Sequence, residues 1–213
     1  MRPDQRENFA RLIKYYFPGD EAVFLRTHSN PSVWPLKALG VTTSQVSDAV
    51  TAVSAIASSA IGSGHSHCCA LGTVMLEANA VWKVKIVTHQ AGSNWGFVGI
   101  IGNGANPTAT NSQNDVTAYG WAGSNQVYDG GQNKPQGGWT TWARGDEAIF
   151  LLEASVLHMW HKRTAKLHSL DLPAREAGWL LHLGCHSGNV KCMHVMRATD
   201  GEALAVLENA EKR

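Results

Sequence analysis

AYGWAGSNQVYDGGQNKPQGGW, residues 118–139, carries almost no charge, is rich in Gly and Asn, and is punctuated by Trp121, Tyr128 and Trp139. Such a stretch suits a flexible linker, a sugar-binding loop, part of a cofactor cradle or a corner of a β-sandwich, and its flanks decide between them. TAYGW reads as the start of a strand. NQVYDGGQ reads as a hairpin with Asp129-Gly130 as its turn, because Asp-Gly favours tight turns whose twist matches paired strands. Trp121 then belongs to packing, and Asn125, Asp129 and Asn133 to turn chemistry.

Upstream, the same short-strand grain continues. VWKVKIVT (81–88) alternates Val and Ile with Lys, the mark of a half-exposed strand. FVGIIG (97–102) is a buried strand that Gly99 would let bend or approach another backbone closely. HCCALGTVML (67–76) reads as a third strand. SDAVTAVSAIASSAIG (47–62) suits a helix or a small-residue strand, and Val50, Val53 and Ile56 among Ser and Thr favour the strand. NGANPTATNSQNDVT (103–117) is a polar loop. Downstream, Arg144-Gly145-Asp146 turns into the apolar strand EAIFLLE. VLHMWHKRTAKLHSLDL (156–172) makes two short strands, with His158 and His161 exposed on them. GWLLHLGCHSGNVKCMHVMRA (178–198) makes two more across a Ser187-Gly188-Asn189 turn. About ten short strands with no helix between them argue against a βαβ enzyme and for an antiparallel sandwich.

Both ends differ from this grain. In residues 4–17, Phe9, Leu12, Ile13 and Tyr16 form one helical stripe, stopped by Pro18-Gly19 and expected to pack within the molecule. Residues 28–40 hold two prolines and read as extended connection. The tail has Thr199 or Asp200 as N-cap, Leu204 and Leu207 on one face, and Lys212 and Arg213 at its end, which suits a short helix. The expected organisation is an extension and linker over 1–40, a sandwich over 41–198 and a helical tail over 199–213.

Composition bounds the function. The chain has 213 residues, 44% hydrophobic and 16% charged, enough for one domain with a real core. The formal net charge is +1 and Lys and Arg form no cluster, so nothing recruits nucleic acid or an anionic membrane. The opening MRPDQRENF has no apolar signal region, and no apolar run is long enough to span a bilayer. With four cysteines, the expected setting is cytoplasmic with reduced thiols.

The ordered set VWKVKIVTHQAGSNWGFVGIIG, AYGWAGSNQVYDGGQNKPQGGW, WARGDEAIFLLE and GWLLHLGCHSGNVKCMHVMRA resembles a SPRY domain over about residues 65–198. It is most similar to SPRY adaptors in which YGW leads to a tyrosine, an Asp-Gly turn and an Asn-x-x-Pro. The resemblance implies an all-β fold, a bent antiparallel β-sandwich of the concanavalin-like jelly-roll kind with short flanking helices. It also implies a non-catalytic adaptor or substrate receptor that binds a peptide or protein surface through loops at one end. Carried over onto this chain, the binding surface comprises Asn106, Thr108, Thr110 and Asn111 before YGW, and Cys185, His186, Ser187 and Gly188 between the last two strands. His186 falls where related adaptors often place an aromatic residue, and a histidine there would make recognition sensitive to pH. Two features depart from the pattern. LLEASVLHMWHKRTAKLHSL has no glycine where SPRY domains carry Asp, a Gly turn and a phenylalanine–Asn–Gly hairpin. The tail does not resemble the box that links some SPRY adaptors to ubiquitin-dependent degradation.

Sharper chemistries compete with this reading. His65, His67, Cys68 and Cys69, and Cys185, His186, Cys192 and His194, hold metal-ligand residue types, and Cys192 with His194 would share a strand face. No Cys-x-x-Cys is present, and strand cysteines usually pack as small hydrophobes. Neither a Gly-x-Ser-x-Gly elbow nor a phosphate-cradling glycine loop is present. The expectation is therefore no metal, no cofactor and a protein or peptide partner, with the oligomeric state open. A lectin-like sandwich stays as the alternative, because Trp139, Trp142 and Trp160 lie near turns where exposed rings would stack on sugars.

Overall fold

The structure is a computed structural model that describes residues 36–39, 41–47, 50–55, 67–89, 95–108, 110–175, 177–186 and 190–210. The amphipathic stretch 4–17 and most of the linker lie outside these residues. The described chain forms two seven-stranded antiparallel sheets. In spatial order, the first holds β1 (Leu36–Leu39), β4 (His67–Gly72), β13 (Trp179–His186), β6 (Gly96–Gly102), β7 (Ala118–Ala122), β8 (Gln126–Asp129) and β9 (Gln132–Asn133). The second holds β12 (Lys166–Asp171), β11 (Val156–His161), β10 (Glu147–Leu152), β5 (Ala80–His89), β14 (Val190–Arg197), β3 (Val50–Ala55) and β2 (Val41–Ser47). The antiparallel β-sandwich expected from the sequence is the fold. Leu36–Leu39, read as extended connection, is an edge strand paired with β4.

Strand alternation divides each sheet into a core face and an outer face. On β13, Trp179, Leu181, Leu183 and Cys185 enter the main core, with Val98, Ile100, Trp121 and Phe150. Trp82 stacks on Phe150 with ring centroids 5.3 Å apart, and Trp121 meets the same phenylalanine at 6.1 Å. Gly99 pairs with Gly120 across β6 and β7, and a Cβ on Gly99 would collide with the carbonyl of Tyr119. The glycine expected to permit close backbone approach does so.

The opening stretch resolves into β7, β8, β9 and a return loop. The β8–β9 turn centres one residue later than expected, on Gly130 and Gly131. Both have positive φ (61° and 73°), as a type I′ hairpin turn requires. Asn133 Oδ1 accepts the Val127 N–H at 3.2 Å, the turn role expected of it.

Three expectations are corrected. His158 and His161 are buried rather than exposed. His161 Nε2 bonds Asp146 Oδ2 at 3.1 Å and its Nδ1 bonds Thr164 Oγ1 at 2.9 Å, while His158 Nδ1 bonds Ser169 Oγ at 2.8 Å. A histidine whose two nitrogens are both satisfied can be buried cheaply, which strand alternation alone does not reveal. Trp139 and Trp142 are also buried, packed edge to face at 4.6 Å, and the Trp139 indole donates to the Ala122 carbonyl at 2.8 Å. The last two strands are no hairpin: β13 lies in the first sheet and β14 in the second.

The glycine-free segment does form a hairpin, β11–β12. Ala165 takes the left-handed backbone position (φ 49°) that glycine fills more easily. The tail helix, α1 (Asp200–Ala210), covers the outer face of the second sheet, burying Val206 and Leu207 against Ile149 and Leu151, with Trp160 partly buried beside them. It begins with a reciprocal cap. The Glu202 N–H donates to Thr199 Oγ1 at 3.3 Å, and Glu202 Oε2 accepts the Thr199 N–H at 3.0 Å.

Candidate functional site

The outer face of the first sheet has no α-helix over it among the described residues. Instead, the loop between β6 and β7 folds back across it. Ser112 and Gln113 are buried there, and Ser112 Oγ bonds His182 Nε2 at 2.8 Å. His182 is fully buried on β13, and burial pushes its imidazole down to about 3, so it stays neutral and acts as a fixed anchor. Beside this anchor a pocket of about 450 Å³ opens, lined by His67, Trp95, Asn111, Gln113, Asn114, Ser124, Gln126, Tyr128 and His186.

Parity explains which side chains reach it. His67 pairs with His186, and Cys68 with Cys185, across β4 and β13. The cysteines point into the core, so the histidines point out. The two imidazole rings meet edge to face at 4.8 Å, and Trp95 packs on His67 at 4.4 Å. On β8, Val127 enters the core, so Gln126 and Tyr128 face outward. The Trp95 indole donates to Gln126 Oε1 at 2.7 Å, and the Tyr128 hydroxyl donates to the same oxygen at 3.3 Å. Burial pushes the Tyr128 hydroxyl up, against a bond from Gln113 that lowers it.

Two lining residues hold backbone conformations that L side chains rarely adopt: Asn111 (φ 60°) and Ser124 (φ 59°). Asn tolerates this region, whereas Ser at such a φ is a local strain that the surrounding structure must hold in place.

Of the residues carried over from the resemblance, Asn111 and His186 line this pocket. Asn106, Thr108 and Thr110 are exposed on the loop leading to it, and Thr108 Oγ1 donates to the Thr110 carbonyl at 2.7 Å. Cys185 is a correction: it has no exposed surface, and burial raises its thiol well above the ordinary range. It packs the core beneath the site. Ser187 and Gly188 lie outside the described residues. His67, Trp95, Gln113, Asn114, Ser124, Gln126 and Tyr128 were missed as site residues. The parity of HCC and GCH already held the signal for His67, and Gln-Val-Tyr alternation held it for Gln126 and Tyr128.

Among the described residues no three His, Cys, Asp or Glu side chains cluster as metal ligands, and His65 lies outside them. The Cys68 thiol donates to the Cys185 carbonyl at 3.3 Å, and burial pushes it up to about 11, which suits a packed thiol and not a metal ligand.

No family model matches the sequence, and no curated protein matches it. Solved structures do. The SPRY domain of human HERC1 superposes with a TM-score of 0.55 at 13% identity, over 76% of this chain and 96% of that one. The TRIM65 PSpry domain superposes with a TM-score of 0.52 at 11% identity, over 83% and 98%. The chain therefore has a SPRY-like fold, and its function has to be argued from the site.

Proposed function

We propose that this chain is a non-catalytic protein-interaction module that grips a short peptide segment of a partner protein in the pocket on the outer face of the first sheet. One observation carries the reading. Asn111 and His186, distant in sequence and each carried over from the family pattern, line the same cavity, together with Gln126 and Tyr128. The lining suits recognition. It offers amide, hydroxyl and imidazole groups for backbone and side-chain hydrogen bonds, against the indole of Trp95. The Thr164–His161–Asp146 and Ser169–His158–Glu153 chains have the order of a nucleophile–base–acid set, but His158 and His161 are buried and both sets support turns and strands. The sugar-stacking alternative loses its rings, because Trp139 and Trp142 are buried and Trp160 packs under α1.

The test is selection of a displayed random-peptide library on the purified protein. Sequences enriched on the wild type and lost on the Asn111→Gly/His186→Ala double variant support the reading, provided its thermal midpoint stays within about 2 °C, since glycine keeps the left-handed backbone at 111 without strain. Enrichment that survives the double variant moves the site elsewhere. No enrichment, with binding on a glycan array, replaces the peptide by a sugar.

A further inference from the structure

We propose that the inner end of the pocket seats a carboxylate of the bound peptide against the facing imidazoles of His67 and His186, and that binding takes up a proton there. The inference rests on the peptide-binding reading and names the chemical group that the pocket selects.

The geometry comes first. His67 and His186 sit directly opposite on β4 and β13, with ring centroids 4.8 Å apart, walled on one side by Trp95. His67 Nδ1 is buried and meets no hydrogen-bond partner among the described residues. A buried ring nitrogen without a partner is costly, and a ligand oxygen would satisfy it once rotation of the ring turns it toward the cavity.

The polarity of the lining points the same way. An indole N–H only donates, so the bond from Trp95 fixes Gln126 with Oε1 inward. Tyr128 donates to the same oxygen, which leaves the Gln126 amino group as the end offered to a ligand. Together with the Asn111, Asn114 and Ser124 side chains, the cavity is well supplied with donors, and a carboxylate is an acceptor with room for several bonds.

Charge supplies the selectivity. Among the described residues, no Asp, Glu, Lys or Arg lines the cavity. The nearest acids on the same elements are engaged: Asp115 accepts from the Thr117 N–H and hydroxyl, and Asp129 pairs with Lys134 at 2.8 Å. On β4 and β13 the other titratable groups are the Cys68 and Cys185 thiols, which face the core, and Cys69 and His182, which share the outer face, and burial keeps all four neutral. Tyr128 stays neutral as well. Among the described lining residues, the imidazoles are therefore the groups that can become cationic near neutral pH. Burial, and then the neighbouring His186, hold the His67 imidazole below its ordinary value in the empty pocket. A carboxylate seated against the rings brings an opposite charge that outweighs both effects and raises it. Affinity thus strengthens as pH falls toward the ordinary imidazole range, and levels off once the free pocket also protonates.

The experiment uses the best peptides from the selection, with each Asp or Glu changed singly to Asn or Gln, and separately with the C-terminus amidated. Affinity is read by fluorescence anisotropy from pH 8.0 to pH 5.5, and proton uptake by calorimetry in two buffers of different ionisation enthalpy. The expected result is that one carboxylate alone carries about a tenfold loss at pH 6, one unit of differential protonation. Affinity should also tighten by about the same factor across the pH range, and both effects should vanish in His67→Gln and His186→Gln. Whether the side-chain or the C-terminal substitution causes the loss identifies the source. A flat pH profile with no loss on any amide substitution overturns the inference while leaving the peptide reading intact. Binding abolished by a chelator overturns it in favour of a metal bridged by the two histidines. Failure to select any peptide removes both readings.

Discussion

His182 shows how one residue can hold a loop in place and expose the fold to acid. Its ring lies in the outer face of the first sheet, with Nε2 on Ser112 and Phe97 at 4.6 Å. Burial lowers its folded value to about 3 from an unfolded value of 6.5, so the unfolded chain binds the proton more tightly. Stability is therefore unaffected above pH 6.5 and falls progressively as pH drops toward 3. Asp146 acts at the lower end of that range. Burial raises its carboxyl, but bonds from His161, Arg163 and the Ala143 N–H outweigh burial and hold it at about 2. Its contribution is present above pH 3.8 and is lost as pH falls through about 2. Urea titrations at pH 7.5, 6.0, 5.0 and 4.0 should show a midpoint that declines below 6.5, and His182→Gln should flatten the decline between 6.5 and 4. An equal decline in wild type and variant would assign the acid sensitivity to another group.

At the level of elements, the sequence was most readable where a single physical constraint acted alone. Lys alternation marked β5, Gly99 marked a close strand crossing, and Thr199 marked a helix start. It was least readable where partners distant in sequence decide. The burial of His161 depends on Asp146 and Thr164, and that of Trp139 on the Ala122 carbonyl. Site legibility follows the same rule. Asn111 and His186 came from pattern, whereas His67 and Trp95 enter the pocket through cross-strand register and ring packing, which no local stretch displays. The β11–β12 hairpin makes the point in reverse. Its sequence lacks the expected glycine, yet pairing along six residue pairs enforces the turn on Ala165. That residue is exposed and pays for its left-handed backbone, so Ala165→Gly should stabilise the protein by about 1 kcal/mol, against the usual direction of Ala→Gly. A lower midpoint in chemical unfolding would mean that the turn adopts another conformation.

On the scale of the whole molecule, the two outer faces of the sandwich are put to different uses. The second sheet hides its outer apolar residues under α1, where Val206 and Leu207 meet Ile149 and Leu151. The first sheet leaves a polar cavity under a loop anchored by Ser112. The two features lie on opposite sides of one core, without shared side chains, so stability and recognition should separate by face. Leu207→Ala removes buried methyl groups and should cost about 2–4 kcal/mol, and Thr199→Ala should cost about 1 kcal/mol through the lost cap. Gln126→Ala leaves the buried Trp95 indole and the Tyr128 hydroxyl without their acceptor, so it should cost about 1 kcal/mol and weaken peptide binding. Combining Leu207→Ala with Gln126→Ala should give additive stability losses within about 0.5 kcal/mol, as expected of distant sites. Peptide affinity, corrected for the folded fraction, should match wild type in Leu207→Ala and match Gln126→Ala in the double variant. If the helix variant alone changed the affinity of the folded protein, the sheets would transmit strain from one face to the other, and the pocket could not be treated as a preformed site on a rigid scaffold.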